Sequence, residues 1–161
     1  MFMLMKRKVH YSWYCIVITF VVMAAFCIGI VTVRGDAHSF PLLVVMTVVA
    51  TFTGFFYCPV SVRADSDGVR VCRLMSRARV FPYSDMESVE TCYPSAGGIR
   101  LCGSGGFFGY WGYFSDIMIG QYFGYYADRG QCFCIRLRSG RQYVVSCDDH
   151  VEMVRLIRER I

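Results

Sequence analysis

From Ser12 to Val33 the chain reads SWYCIVITFVVMAAFCIGIVTV, without one charged side chain, and PLLVVMTVVATFTGFFY from Pro41 to Tyr57 is equally uncharged. No other feature restricts the fold as strongly. As helices these runs would rise roughly 33 and 25 Å, against about 30 Å for the hydrocarbon core of a bilayer. The second is short, and aromatic flanks and tilt accommodate the difference. The connecting RGDAHSF has room only for a turn, so the two helices form a hairpin. Its Arg-Gly-Asp triplet is read as turn composition, and Pro41 suits the first position of the second helix. Residues 1–57 are therefore predicted to be a membrane anchor with spans over about 12–33 and 41–57.

A cleaved leader is rejected, because the first apolar run exceeds the usual 7–15 residues and no small-x-small site follows it. A lipoprotein reading through Cys27 fails because Phe26 occupies the position that needs a small residue. Met5-Lys6-Arg7-Lys8 precedes the first span and is expected to stay in the cytoplasm. The chain then leaves and returns, which puts both termini on the cytoplasmic side. Tyr11, Trp13 and Tyr14 would share one interface with Phe55, Phe56 and Tyr57, where amphipathic rings prefer to lie. Neither span carries an ionisable side chain of the kind that proton relays and ion paths use, so transport by this chain alone is not expected. Ala25 with Gly29, and Ala50 with Gly54, are small-xxx-small pairs suited to close helix packing.

A hydrophobic content of 55 % and a mean hydropathy of +0.41 exceed the about 45–50 % apolar residues of ordinary soluble domains. The excess lies before residue 58. From residue 59 onward thirteen arginines face eleven acids, a nearly balanced surface with no long basic stripe, so nucleic acid is not an expected partner. The nine cysteines include no CxxC. Cys132 and Cys134 would share a strand face, but none of His10, His38 and His150 completes a ligand set, so no metal is expected. The cysteines read as reduced small hydrophobes.

After Cys58-Pro59 the pattern changes to short β-type runs between turn signals. PVSVRAD and VRVCRLM flank the hairpin signal Asp67-Gly68, and ARVFPY leads into SDMESVETC. With Gln121–Ala127 and the hairpin QCFCIRLRSGRQYVVS, turning at Ser139-Gly140, about seven strands are predicted. Phe133, Ile135 and Leu137 should face one side. DDHVEMVRLIRERI reads as an amphipathic helix, with Asp149 and Glu152 as a capping box and Val151, Val154, Ile157 and Ile161 as the buried stripe. The predicted fold class is thus a membrane α-hairpin followed, over 58–161, by a mainly β, seven-stranded barrel or sandwich closed by a C-terminal helix.

That order of elements, with ARVFPYSDMESVE, RLCGSGGFFGYWGYF and GQYFGYYADRGQCFCIRLRSGRQYVVSCDD, resembles bacterial pleckstrin-homology (PH)-like domains behind a two-helix anchor. The likeness covers most of residues 57–161, and the glycine-aromatic stretch is its most specific part. His150 departs from it, standing where proline would open the last helix. The resemblance implies a PH-like fold at the cytoplasmic face of a bacterial inner membrane and a surface that meets lipid headgroups or proteins. It implies no catalytic activity.

The stretch GSGGFFGYWGYF, Gly103 to Phe114, is too rich in apolar rings for a disordered tract and too rich in glycine for a span. It is expected to be a long ordered excursion between strands. Phe107, Phe108, Tyr110 and Trp111 are candidates to lie on the bilayer surface, with Arg73, Arg77 and Arg79 meeting anionic headgroups at about 1 kcal/mol each. The plainer alternative packs the rings on the domain and leaves the arginines on a solvated hairpin edge.

HExxH, GxSxG and P-loop motifs are absent. Asp65-Ser66-Asp67-Gly68 resembles part of a calcium loop, but Leu74 stands where the bidentate glutamate is needed. Phe108 breaks a GxGxxG reading, and Asp148 and Asp149 are better helix caps than an acid–base pair. No cofactor and no enzymatic activity are expected. The expectation is a membrane-anchored scaffolding module with a protein partner and accessory lipid contact, the alternative being an accessory subunit of a larger membrane complex. The full-length protein should stay with vesicles through an alkaline carbonate wash, and its C-terminal half should resist protease added outside intact cells.

Overall fold

A computed structural model describes residues 3–161. The chain opens with strand β1, Met3–Lys8, and continues into helices α1, Trp13–Thr32, and α2, Ser39–Tyr57. Six of the strands follow as β2, Pro59–Asp65; β3, Gly68–Arg73; β4, Arg79–Pro82; β5, Met86–Cys92; β6, Ile99–Gly106; and β7, Gly109–Asp116. The last three are β8, Gly120–Tyr126; β9, Cys132–Leu137; and β10, Gln142–Ser146, before helix α3, His150–Arg158.

Both long helices are apolar on all sides, with mean hydropathies of 2.7 and 1.9, and only 6 % of each apolar window is buried. A helix in the core of a soluble protein would be covered. These two are long and apolar enough to cross a membrane. They touch at Gly29, where a Cβ would stand 2.9 Å from Leu43 Cδ2, and Thr51 Oγ1 lies 3.7 Å from the Met23 sulfur. Pro41 is the third residue of α2 rather than the first, because Asp36 gathers the His38 amide and the Ser39 hydroxyl and starts the helix earlier.

The strands form two sheets instead of a closed barrel, and they number ten among the described residues, where about seven were predicted. The first sheet has the order β1-β2-β3-β4; the second has the order β5-β9-β10-β8-β7-β6. All neighbours are antiparallel except β8 and β10. The hairpin predicted at Asp67-Gly68 forms but turns one residue earlier, at Ser66-Asp67, with Gly68 already in β3. The one at Ser139-Gly140 forms as predicted, and Phe133 and Ile135 are buried with Leu137 packed against their cluster.

Strand β1 was not anticipated. The basic run read as a cytoplasmic flank pairs Met5 with Ala64, Lys6 with Arg63, Arg7 with Val62 and Lys8 with Ser61. Alternation explains it: Met5 and Val9 pack on the core, while Lys6 and Lys8 are exposed. The residues before α1 and those after α2 therefore lie side by side in one sheet, and the helical hairpin is an insertion between two paired strands. Tyr11 fastens the same junction by donating to the Pro59 carbonyl at 2.9 Å.

One buried cluster lies between the sheets and α3, with Val62, Val69, Val71, Phe81, Phe133 and Ile157 among its members. A second covers the opposite face of the larger sheet and is mostly aromatic: Tyr110, Phe114, Tyr122 and Tyr126, joined by Cys15 of α1. Helix α3 buries Met153, Val154 and Ile157, whereas Val151 and Ile161 of the predicted stripe are exposed. The predicted capping box is not formed either. Asp149 has φ 53°, caps no amide with its side chain, and its carboxylate lies 3.0 Å from Arg7 Nε of β1. Arg158 Nε donates to the Val89 carbonyl at 2.8 Å and holds the helix on β5.

A protein beginning at residue 58 would lose β1 and the buried Val9, worth about 2 kcal/mol for the side chain alone. Hydrogen exchange on the full-length protein in detergent and on the shortened form should show the β2 amides that point at β1 protected in the first and fast in the second, while those bonded to β3 stay protected in both.

Candidate functional site

The glycine-aromatic stretch is a β-hairpin, not an excursion. Residues of β6 and β7 pair across it from Ile99–Ser115 to Gly106–Gly109, with Phe107-Phe108 at the turn and Phe108 at φ 54°. Gly103 and Gly112 face each other with φ of 123° and 120°, and a Cβ on either would fall about 2 Å from a carbonyl oxygen of the partner strand. The glycines therefore let two strongly twisted strands approach, and the rings fill the faces.

The hairpin tip seats on both long helices. The Phe108 ring packs 4.7 Å from that of Phe55 and over Gly54, where a Cβ would meet it at 2.4 Å. Gly54 thus makes room for the hairpin; the predicted role in helix-on-helix packing belongs to Gly29. On α1, Thr19 Oγ1 donates to the Cys15 carbonyl at 2.7 Å and accepts the Phe108 amide at 3.0 Å. Trp111 stacks on Tyr57 at 4.9 Å with planes 13° apart, and its Nε1 donates to the Phe107 carbonyl. Thr19 lies about 9 Å along α1 and Gly54 about 5 Å before the end of α2, so the tip reaches more than one turn past the start of α1 and just under one turn past the end of α2.

The β3–β4 loop closes on the same place. Leu74 N donates to the Cys58 carbonyl at 3.0 Å, and Ser76 Oγ donates to the Phe56 carbonyl at 2.9 Å, satisfying an end group of α2. The Arg73 guanidinium lies 5.7–5.9 Å from the ring centres of Phe56, Tyr57 and Tyr125 and donates to the Arg77 carbonyl at 2.6 Å. Leu74 and Met75 stay about half exposed beside the helix end, together with the Arg77 side chain.

Of the predicted contacts, Arg73, Arg77, Phe107, Phe108 and Trp111 converge around the ends of α1 and α2. Arg79 does not: it lies over Phe81 and Tyr143 and donates to the Tyr143 hydroxyl at 3.3 Å. Tyr110, expected on the bilayer surface, is 4 % exposed, because it stacks on Tyr126 at 4.7 Å beneath the Arg129 guanidinium, which is 4.8 Å away. Sequence reasoning missed Thr19, whose hydroxyl was the available signal in an apolar run, and Leu74 and Met75, which looked like the end of a strand.

At the opposite end of the hairpin the β7–β8 turn presents Ile117 and Met118, 98 % and 86 % exposed, near exposed Ile99 and Leu101 of β6, whose outer edge pairs with no strand among the described residues. Asp116 organises this end. Burial works against its charge, but the amide and hydroxyl of Ser95 and the Met118 amide outweigh that and hold its pKa below the ordinary carboxylate value. A hollow of about 410 Å³ on the outer face of β5 and β9 contains Cys92, Cys134, Glu90 and Arg136. Burial pushes Cys92 up to about 12 and Cys134 to about 11, so both thiols stay protonated at neutral pH and supply no ready nucleophile. Among the described residues no group of three His, Cys, Asp or Glu side chains is arranged to hold a metal ion.

Comparison with family models, with curated proteins and with solved structures returned no match. The molecule is defined by its own architecture: two apolar helices inserted into a two-sheet body that carries a C-terminal helix and grips the helices with one hairpin.

If Gly54 exists to receive Phe108, Gly54→Ala should cost about 1–3 kcal/mol through overpacking. The same substitution in a Phe108→Ala background should cost much less, and thermal unfolding of the four proteins measures the coupling.

Proposed function

We propose that this chain is a membrane-anchored, non-catalytic binding module of the bacterial PH-like kind, held at the cytoplasmic face of the inner membrane. Residues 1–57 serve as the anchor, with β1 borrowed back by the soluble sheet. The observation that carries the reading is the grip of the β6–β7 hairpin on α1 and α2, which couples the sheet-rich body to the apolar helices. With those helices in a bilayer, Phe107 and Phe108 lie at the edge of the hydrocarbon, and Leu74, Met75 and Arg77 face the headgroup layer. Trp111 and Tyr57 form an aromatic step at the same depth, which suits such rings.

The partner-facing surface is then the far end. Strand β7 carries the chain about 23 Å from the helix-bound tip to Asp116. Ile117, Met118, Ile99 and Leu101 expose apolar area there, away from lipid, beside an open strand edge. Apolar residues grouped in this way mark protein contacts more often than solvent surface. Lipid contact by Arg73 and Arg77 orients the body and needs no role in recruitment, because the anchor already supplies that.

Two measurements separate the surfaces. In nanodiscs, exchange protection of residues 74–78 should rise when anionic lipid replaces zwitterionic lipid, and Arg77→Gln should remove the difference; equal protection in both lipids removes the headgroup role. A photo-crosslinking residue at Met118 in native membranes should yield a discrete adduct that Ile117→Asp abolishes, while one at Arg141 should yield none. No adduct at Met118 would defeat the partner reading.

A further inference from the structure

We infer that the hollow between Arg100 and Arg129 is a binding site for a phosphate group. It has a volume of about 200 Å³ and is floored by the aromatic cluster, including Tyr110, Phe114, Tyr122 and Tyr126. Both arginines line it. Among the described residues neither is ion-paired to a carboxylate, and the Arg129 Nε is buried without a hydrogen-bond partner. Arg129 is held by its place over the Tyr110 ring, so its guanidinium is positioned before any ligand arrives. Arg100 reaches in because Gly105 has no side chain: a Cβ there would stand 3.0 Å from Arg100 Nη1.

The chemistry selects the ligand. Two guanidiniums present planar forks of donors that match an oxyanion, and their combined charge repels metal ions. The volume takes a phosphate with a few further atoms and excludes a peptide segment. Ser95 on the rim adds no free donor, because its hydroxyl proton is given to the Asp116 carboxylate at 2.7 Å, so the two guanidiniums alone supply the recognition. A second hollow, lined by Ser12, Tyr14, Ala96 and Asp128, adjoins the first through their shared Tyr110 and Arg129 and runs to the first turn of α1. Asp128 does not neutralise the pair by contact; its Oδ1 accepts the Gly130 amide at 2.8 Å. A phosphate in the arginine hollow would therefore belong either to a lipid headgroup entering beside α1 or to a soluble phosphoester. The site is separate from the β3–β4 loop and does not depend on the partner surface.

The experiment uses the full-length protein in neutral detergent and two probes, phosphatidic acid in mixed micelles and glycerol 3-phosphate in solution. At least one should bind saturably, and Arg100→Gln should weaken that binding roughly tenfold or more, as loss of a charge-assisted contact does. Arg129→Gln should do the same, and Arg141→Gln, an exposed arginine outside the hollow, should change nothing. Binding of the lipid alone identifies the membrane as the source; binding of the soluble ester identifies a free phosphoester. Arg100 is exposed on an edge strand, so its replacement leaves the fold intact and decides the matter even if Arg129→Gln unfolds. Failure of both probes with the native protein, or equal affinity in Arg100→Gln, overturns the site.

Discussion

The contact on which the rest depends is Phe108 against Gly54 and Thr19. A ring at the end of a two-stranded hairpin fills a notch on one helix and hands its amide to a hydroxyl on the other. Without that seat the body would hang from two short connections, Val9–Ser12 and Cys58. With it, three points fix the helices: the hairpin tip, the Tyr11 bond to Pro59, and the Ser76 cap on the last turn of α2. Of the three, Ser76 satisfies an end carbonyl of α2, while Thr19 accepts through its side chain and Tyr11 donates to the first carbonyl of β2.

Pairing of β1 with β2 adds a topological constraint. Adjacent strands lie about 4.8 Å apart, so the chain must leave and re-enter the sheet at nearly one point. Whatever surrounds the helices, their two ends next to the body are on the same side of it. The ion pairs do little of this work. Arg7 and Asp149 are 39 % and 64 % exposed, and such pairs are worth about 0–1 kcal/mol. The aromatic cluster, with Tyr126 and Phe114 at its centre, buries far more apolar area and sets how the larger sheet meets α1.

The apolar helices, two of the hairpins and α3 were legible because each has a periodicity and a bounded length. Strand β1 was hidden by its charges: in MLMKRK only every second residue faces the core, and a lysine on an edge strand costs nothing in water. Strands β6 and β7 were hidden by glycine, which is depleted in strands, and only the tertiary pairing of Gly103 with Gly112 shows why it is required here. Gly54 was visible as a small residue, but its neighbour comes from 54 positions further along the chain. Tyr110 and Arg129 could not be paired by inspection, since a cation–π contact leaves no spacing rule. The Asp149 capping box failed because its backbone is left-handed, where a cap needs an extended one, and its carboxylate turns to Arg7 of β1.

The open edge at β6 bears on what can bind there under the proposed membrane reading. β6 runs from Ile99 at the far end to Gly106 against the helices, so its direction has a component along the membrane normal. Two copies anchored in one membrane are related by rotation about that normal, which preserves this component. Antiparallel pairing of β6 with its own copy would reverse it and drive the second pair of helices away from the bilayer. An extended segment of a different chain is under no such restriction: it can run either way along β6, with Ile99 and Leu101 offering side-chain contact and the unpaired backbone offering hydrogen bonds. Under that reading the two helices act as a filter on association, disfavouring antiparallel self-pairing of a strand edge that in a soluble protein would be an aggregation hazard.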